Sequence, residues 1–378
     1  MKKFLLGLFC AQATLVNATD FESKADLGRA LYFDTNLSMN RTQACSTCHS
    51  PEMGFADPRD NGVGGAVSLG DDGKSLGDRH APTAGYASFS PAFHQNKKGV
   101  YVGGQFHDGR ENDLAGQAGG PPTNPIEMGM PSKAATVARI KENVAYIEAF
   151  SAFYGNDILA QPEKAYAAMA ESIAEFEKTD FFAPFDSKYD RYLRGEYELT
   201  KQEDLGMTLF FSQQFTNCNI CHQLKGGPHK EGETFSNYEY HNIGVPVNTA
   251  VRAVNGVAAD HVDNGLLDNP TVDDPKQKGK FKTSSLRNVA VTGPYMHNGV
   301  FKDLRTVVLF YNKYNSKSSK RQINPETGKK WREPEVSENI SMKELKEGPA
   351  LKNKEIDALV AFMKTLTDKR YEHMLSEK

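Results

Sequence analysis

The chain has 378 residues, of which 39% are hydrophobic and 25% are charged, and its formal net charge is −3. This length is sufficient for two globular domains. The mild negative charge argues against a nucleic acid or an anionic membrane surface as partner, and we expect no membrane span, because no stretch reaches the ~20 apolar residues that one needs.

The first predicted element is a cleaved signal peptide at residues 1–18. Two lysines precede an apolar run that ends in the small-residue pattern Val16-Asn17-Ala18, which is typical of a secretory signal. We therefore expect a mature chain that begins near Thr19 and functions in the periplasm. A lipoprotein anchor at Cys10 is the alternative, but Phe9 is bulky where that processing requires a small residue.

Two segments of the chain repeat one another. DLGRALYF (residues 26–33) and DLGMTLFF (residues 204–211) share Asp, Leu, Gly, Leu and Phe in register. Each begins with a helix-start signal, since Ser23 precedes Asp26 and Thr200 precedes Glu203 by three residues. Each also precedes a CxxCH sequence. The repeat predicts two tandem domains, each with a helix that runs into a CxxCH loop.

The rest of the chain shows mainly helical periodicity. One apolar stripe follows Pro162 and a second follows Asn353. Long Gly/Pro-rich stretches without strand alternation lie between them, at residues 61–77, 116–131 and 257–280. Loops of this length in a compact protein usually wrap a ligand or shape a site. The pattern predicts a mainly α fold with long loops around a ligand.

The predicted domain boundary lies between Pro184 and Thr200. We set it after residue 190, which gives an N-terminal domain at residues 19–190 and a C-terminal domain at residues 191–378. The final helix could pack on either domain.

Two CxxCH units contain four of the five cysteines of the chain. The first CxxCH unit contains Cys45, Cys48 and His49, and the second contains Cys218, Cys221 and His222. In exported proteins this sequence attaches c-type haem, with both thiols bonded to vinyl groups and the His as proximal iron ligand. A zinc site or two local disulfides would also use the cysteines, but zinc does not explain a His after both pairs. We therefore predict two covalently bound haem c groups in cytochrome c-like domains.

Further motifs resemble one family. GGQFHDGRENDLAGQAGGPPTNPIEMGM lies between the two units, and SLRNVAVTGPYMHNGVF lies after the second. Together with the paired CxxCH sequences, they are similar to the bacterial di-haem cytochrome c peroxidases, a family that includes the MauG branch. The resemblance runs from Asp26 to Leu366. It implies that hydrogen peroxide is reduced at the first haem with electrons relayed through the second.

The resemblance implies a Gln and a Glu over the first haem, and these match Gln117 in AGQAGG and Glu127 in NPIEM. Cleavage of an O–O bond needs a group that takes a proton from the inner oxygen and returns it to the outer one, and Glu127 is our candidate. Many relatives carry a distal His before an APT sequence, where this chain has Asp72. We therefore expect an open first iron at rest, and His80 is the residue that could close it.

The resemblance also implies a Met or Tyr ligand on the second haem, fourteen residues after the His of a PYxH motif. Counting from His297 gives Tyr311. Tyr311 also belongs to a helical apolar stripe that begins at Leu304, which a core tyrosine would explain. Met296 and Met128 are the alternative ligands.

One position between the haems departs from the family. Relatives have a Trp in the motif FWDGR, where this chain has His107, and the only Trp of the chain is Trp331. Imidazole is harder to oxidise than indole, so we do not expect the Trp-mediated sharing of charge proposed for MauG. His107 and His297 remain candidates for an inter-haem relay.

A second departure concerns the calcium ion that relatives hold between their domains. The two carbonyl positions match Thr292 and Pro294, but the position of the Asn ligand is His80. Imidazole is a poor ligand for a hard cation, so a calcium ion here would depend on carbonyl groups and water.

The resemblance leaves the source of electrons open. A small donor protein, either a cytochrome c or a cupredoxin, would make the protein a peroxide-detoxifying enzyme. A partner protein whose side chain is oxidised, as with MauG, would make it a modifying enzyme; Tyr311 favours this alternative and His107 weakens it. A non-catalytic electron-transfer or sensor cytochrome is the third alternative. Relatives often form homodimers, but no surface of this chain can be assigned to such a contact.

Overall fold

A computed structural model describes residues 21–227, 230–258 and 260–376 of the chain. The predicted signal peptide and the alternative anchor at Cys10 lie outside the described residues. Within these ranges, no helix combines the length and apolar character that crossing a membrane requires.

The described residues form a mainly α fold, as predicted. The helices are α1 (Lys24–Tyr32), α2 (Cys45–Cys48), α3 (Leu114–Ala118), α4 (Lys133–Ile140), α5 (Val144–Tyr154), α6 (Pro162–Glu177), α7 (Lys188–Leu193), α8 (Lys201–Phe211), α9 (Cys218–Cys221), α10 (Thr249–Arg252), α11 (Leu304–Asn312), α12 (Met342–Leu345) and α13 (Asn353–Lys364). Three antiparallel pairs join the two-residue strands β1 (His94–Gln95) to β2 (Tyr101–Val102), β3 (Tyr240–His241) to β4 (Phe281–Lys282), and β5 (Ile323–Asn324) to β6 (Lys329–Lys330). Long loops connect these elements.

The two repeated segments form α1 and α8, and both predicted helix starts are confirmed. The Ser23 hydroxyl accepts a hydrogen bond from the Asp26 backbone N–H at 3.1 Å. Thr200 and Glu203 form a reciprocal capping box, in which the Thr200 N–H donates to the Glu203 carboxylate at 2.8 Å. These caps satisfy amide groups that have no partner within the helix.

The shared glycine of the repeat has the same structural role in both copies. A Cβ atom on Gly28 in α1 would lie 1.8 Å from the carbonyl oxygen of Ser172 in α6. A Cβ atom on Gly206 in α8 would lie 1.9 Å from the carbonyl oxygen of Ala358 in α13. Each helix therefore crosses its partner at backbone contact distance, which only glycine permits.

The chain contains two main hydrophobic cores. The buried residues of the first core run from Leu27 to Phe182 and include α1 and α6. Those of the second run from Tyr189 to Leu366 and include α8, α11 and α13. The final α-helix thus packs in the second core, while the 3₁₀ segment after it reaches the first half of the chain, where the Tyr371 hydroxyl donates to the Pro51 carbonyl at 2.6 Å. The domain boundary after residue 190 stays a prediction.

Buried ion pairs join segments that are far apart in the sequence. Arg79 donates to Asp108 at 2.6 Å and makes a bidentate pair with Asp263 at 2.6 and 2.7 Å. Arg287, which is 1% exposed, makes a second bidentate pair with Asp190 at 2.6 and 2.9 Å. Paired charges of this kind fix orientation, because removing either partner leaves an uncompensated buried charge.

Candidate haem and peroxide sites

The two CxxCH units have nearly identical local structures. In each, the cysteines bound a one-turn helix (α2 or α9), and the histidine N–H donates to the first cysteine's carbonyl, at 3.0 Å for His49 and 2.9 Å for His222. His49 Nδ1 lies 3.3 Å from the Phe55 carbonyl oxygen, and His222 Nδ1 lies 2.9 Å from that of Phe235. A carbonyl partner fixes the tautomer with the proton on Nδ1, which leaves Nε2 free for a metal.

The electrostatics of both units suit haem attachment. Burial lowers the pKa of His49, and it lowers the pKa of His222 to about 4, so both imidazoles are neutral and able to ligate iron. Burial also raises the pKa of the Cys45 and Cys221 thiols to about 12. The four cysteines of the two units are free. Neither local disulfides nor a zinc-type cluster of three or more His, Cys, Asp or Glu ligands occurs in the described ranges.

A cavity of about 360 Å³ lies against the second CxxCH unit. Cys218, Cys221, His222 and Tyr311 all line it. Its wall is largely apolar: α11 contributes Val307 and Val308, α13 contributes Leu359 and Met363, and the loop before α11 contributes Leu286 and Val289. The structure therefore brings the predicted proximal and distal ligands of the second haem into one apolar space. Met296, an alternative ligand, lines the same cavity.

Polar groups at this cavity fit the carboxylates of a haem. The buried Nε2 atoms of His241 and His297 have no hydrogen-bond partner among the described residues, and both side chains line the cavity. Lys282 also lines it, and burial lowers the pKa of its ammonium group to about 8. Orphaned buried polar atoms are rare in folded proteins. A haem with its two propionates would satisfy the two orphaned imidazole nitrogens around this apolar slot. The ammonium group of Lys282, which donates to the Gly104 carbonyl, adds positive charge there.

Sequence reasoning missed His241 and Lys282. His241 lies in β3 and is paired with Phe281 of β4, the strand that also contains Lys282. Strands of two residues carry no alternation signal, so the pairing that brings these side chains to the cavity could not be read from the sequence.

In the protein without haem, burial keeps the phenol of Tyr311 protonated. It raises the pKa of the phenol well above its ordinary value, with a further contribution from the thiols of Cys221 and Cys218. Tyr311 and both of these cysteines line the same cavity. A tyrosinate ligand here would need the positive charge of a bound iron, because the cavity itself favours the neutral phenol.

The predicted peroxide-side residues lie on one folded segment near the first CxxCH unit. Gln117 is in α3, and Glu127 follows a 3₁₀ turn at Pro121–Thr123. The Asp71 N–H donates to the Glu127 carbonyl at 2.7 Å and fixes the loop. Glu127 is half-buried; burial raises the pKa of its carboxyl group, and Arg110 opposes that rise. The charge of Glu127 also contributes to raising the pKa of the Cys48 thiol in the first CxxCH unit. A carboxyl group with a raised pKa is suited to proton transfer.

The structure places Asp72, the position of the distal His in many relatives, away from any metal role. Its carboxylate accepts hydrogen bonds from the N–H groups of Lys74 and Ser75, both at 2.8 Å, and from the Ser75 hydroxyl at 2.6 Å. These bonds lower the pKa of Asp72 to about 2. Met128, the other alternative ligand, is 4% exposed and belongs to the first core.

Three histidines form a continuous contact chain between the halves of the molecule. The His80 N–H donates to the His297 carbonyl at 2.7 Å, and His107 Nε2 lies 2.9 Å from the His80 carbonyl oxygen. The His297 ring stacks on Phe281 with centroids 3.5 Å apart. Burial lowers the pKa of His80 and His107 to about 4 and that of His297 to about 3, so all three are neutral. The two predicted relay residues are therefore joined through His80.

The predicted calcium-site residues also meet at this interface. His80, Thr292 and Pro294 all line the 360 Å³ cavity. No cluster of three or more His, Cys, Asp or Glu side chains that could hold a metal ion is found among the described residues. The predicted donors are two carbonyl groups and an imidazole that burial keeps neutral.

Comparisons with known proteins identify relatives of the whole chain. A family model for di-haem cytochrome c peroxidases matches residues 22–198. The methylamine utilization protein MauG of Paracoccus denitrificans is 54% identical over 356 residues, which cover 94% of this chain and 91% of that protein. The cytochrome c peroxidase Ccp of Escherichia coli is 33% identical over 279 residues, covering 73% of this chain and 50% of that protein. The crystal structure of the diheme peroxidase BthA from Burkholderia thailandensis aligns with a TM-score of 0.79 at 33% identity, covering 92% of this chain and 86% of that one.

The helical fold and the two matched CxxCH units define a di-haem c-type protein. The relatives make the class more specific: the chain belongs to the di-haem cytochrome c peroxidase family that includes MauG. It is a haem peroxidase, an oxidoreductase with two haem c groups.

Proposed function

We propose that the protein reduces hydrogen peroxide at a haem held by the first CxxCH unit and draws electrons through a haem held by the second unit and Tyr311. The observation that carries the proposal is the 360 Å³ cavity, which brings His222 and Tyr311 together and is also lined by His107. Each turnover consumes one peroxide, two electrons and two protons, and it releases two water molecules.

At the first site, bound haem supplies an iron that binds peroxide and stores the oxidising equivalents. Glu127 takes the proton from the oxygen nearer the iron and returns it to the departing oxygen. Its raised pKa supports both steps, because a carboxyl group that titrates closer to neutral pH can accept and donate a proton. Gln117 orients the peroxide by hydrogen bonding. Asp72 is occupied by its own turn, which supports an iron that is open at rest.

At the second site, His222 and Tyr311 would hold the iron, and His241, His297 and Lys282 would offer partners for the propionates. A tyrosinate ligand would favour the oxidised states of the iron and lower its potential. His107 and His297, which His80 joins through hydrogen bonds, would provide the path for electrons between the two sites.

A second candidate function is the oxidation of a side chain in a partner protein. The 54% identity to MauG and the position of Tyr311 support it. His107, where relatives have a Trp, weakens it. The two candidates share the peroxide site and differ in the electron source, which is a cytochrome c or cupredoxin in the first and a protein substrate in the second.

Three further features belong to this proposal. Export by the signal peptide at residues 1–18 would place the protein in the periplasm, where c-type haem is attached. Homodimer formation is expected from the family resemblance. A calcium ion would be held weakly by the carbonyl groups of Thr292 and Pro294 and by water, because His80 contributes no negative charge.

The substitution Glu127→Gln tests the proposal. It removes the proton carrier and keeps the shape, so kcat/KM for peroxide should fall by roughly 10²–10⁴. Glu148→Gln, which alters an exposed carboxylate on α5, is the control and should leave kcat/KM unchanged. Haem content and spectra should match the parent in both variants. Equal peroxide turnover in the parent and Glu127→Gln would exclude the proposed role of Glu127. No turnover in the parent itself would favour a non-catalytic electron-transfer or sensor cytochrome.

A further inference from the structure

The only tryptophan of the chain, Trp331, lies near the predicted ligand of the second haem. It follows β6, and its ring centroid lies 5.5 Å from that of Phe310 and 5.6 Å from that of Phe301. Its indole N–H donates to the Arg321 carbonyl at 2.8 Å. The side chain is half-buried, so it contacts the second core on one side and reaches the surface on the other.

A single ring separates this indole from Tyr311. Phe310 precedes Tyr311 in α11, and the two ring centroids are 6.1 Å apart. Indole and phenol are the most readily oxidised aromatic side chains, whereas the phenyl ring between them only shortens the gap that an electron must cross. A row of three aromatic rings therefore connects the surface to the cavity of the second haem: Trp331, Phe310 and Tyr311.

The surface around Trp331 is strongly basic. We call residues 313–333 the basic hairpin; it contains β5 and β6 and has seven basic and two acidic residues, in a chain whose net charge is −3. Five of its cations are exposed and form no ion pair within the described ranges: Lys317, Lys320, Lys329, Lys330 and Arg332. Unpaired charge of one sign attracts and orients a partner of opposite sign.

We propose that Trp331 is the residue through which electrons enter the second haem domain, and that the basic hairpin docks an electron-donor protein with an acidic surface. The proposal rests on the proposed function, because it requires Tyr311 to lie beside a haem that accepts electrons. It assigns an electron-transfer role to Trp331 and a partner chemistry to the basic hairpin.

Each step moves one electron. Trp331 would lose an electron, across Phe310 and Tyr311, to the second haem that reaction with peroxide has left oxidised, and would become a cation radical. The docked donor would then return one electron to Trp331. The indole keeps its proton, because the Arg321 carbonyl accepts a hydrogen bond and is too weak a base to take the proton. Lys313 lies 5.9 Å from the Trp331 ring, and its charge opposes the cation radical. Two such transfers supply the electrons for one peroxide.

The test uses full-length, haem-loaded protein that has reacted with one equivalent of peroxide. Reduced plastocyanin, a small acidic copper protein, is the donor probe, and its oxidation is followed by absorbance. Trp331→Phe should slow this oxidation by roughly tenfold, or ~1.4 kcal/mol in barrier, and leave plastocyanin affinity unchanged. Trp331→Tyr keeps an oxidisable ring and should recover much of the rate. Without a donor, peptide mass spectrometry should find oxygen adducts on Trp331.

Charge reversal tests the docking surface separately. Lys329→Glu with Lys330→Glu should lower the second-order rate with plastocyanin roughly tenfold and flatten its salt dependence. Lys97→Glu with Lys98→Glu, an exposed pair beside β1, is the matched control and should change neither.

Two outcomes would overturn the proposal. An unchanged rate of plastocyanin oxidation in Trp331→Phe would exclude the electron-transfer role of Trp331. If Phe215→Ser slowed plastocyanin oxidation instead, electrons would enter at the edge of the cavity where Phe215 is exposed. An unchanged rate after charge reversal would exclude docking at the basic hairpin. Hydroquinone, a small neutral reductant, distinguishes failure of this proposal from failure of the proposed function. If the protein is not a peroxidase, peroxide turnover will be absent with both plastocyanin and hydroquinone. If only the entry site is wrong, turnover will persist.

Discussion

The buried carboxyl group of Glu177 gives a quantitative prediction about stability. Glu177 ends α6, is 5% exposed, and its Oε2 atom has no hydrogen-bond partner among the described residues. Burial raises its pKa from 4.5 to about 8. It lies close enough to Tyr32 and Cys45 to influence both, which places it beside the first CxxCH unit.

The sign of the effect follows from the raised pKa. Below pH ~4.5 the carboxyl group is protonated in both the folded and unfolded chains, and its ionisation has no effect on stability. As the pH rises, the unfolded chain ionises first, so the folded state loses stability until the folded pKa of about 8 is passed. With ~1.4 kcal/mol per pKa unit, this group should remove about 3.5 kcal/mol from the free energy of unfolding between pH 5 and pH 8.

Glu177→Gln removes this ionisation and nearly preserves the shape of the side chain. Urea unfolding of the variant, followed by far-UV circular dichroism at several pH values, should lack the decline that Glu177 causes in the parent. Glu175→Gln is the control on the same helix, because its exposed carboxylate pairs with Lys178 at 2.7 Å, and its pH profile should parallel that of the parent. Parallel profiles for the parent and Glu177→Gln would refute the argument, since they would mean that Glu177 has a charged partner when folded.

Three further predictions concern the second haem, the helix crossing and calcium. Tyr311→Phe should remove the tyrosinate signature from the resonance Raman spectrum and raise the potential of the second haem, whereas Tyr314→Phe, one turn away, should change neither. Gly206→Ala should lower the free energy of unfolding by several kcal/mol, because its Cβ would lie 1.9 Å from a backbone oxygen; Gly77→Ala, whose nearest neighbour is at 3.6 Å, should be tolerated. Dialysis against a chelator should leave haem spin states and Tm unchanged, and a shift in either would show that calcium is structural.

Local sequence signals were sufficient to predict several parts of the fold. The capping residues of α1 and α8, the proline at the start of α6 and the apolar stripe of α11 each act within one or two helical turns, and each predicted helix is present. The CxxCH units are equally local, because the two cysteines and the histidine share one turn. The family resemblance added Tyr311 and Glu127, which local pattern alone could not separate from core and surface residues.

Long-range contacts determine the features that the sequence did not reveal. His241 reaches the cavity only because β3 pairs with β4, forty residues further along the chain. Trp331 is twenty residues from Tyr311 in sequence. The basic hairpin folds back, however, and packs Trp331 against Phe310, the residue before Tyr311. Glu177 looks like the last polar residue of an amphipathic helix, but it is 5% exposed in the folded protein. Such placements depend on tertiary packing and leave no periodic signal.

Low-temperature electron paramagnetic resonance of the fully ferric protein tests the central claim most directly. We expect one high-spin haem, open at the peroxide site because the Asp72 carboxylate is hydrogen-bonded within its own turn, and one low-spin haem held by His222 and Tyr311. Tyr311→Phe should change the low-spin signal only. Two low-spin haems in the parent protein would contradict the account, because His80 or another side chain would then close the first site at rest.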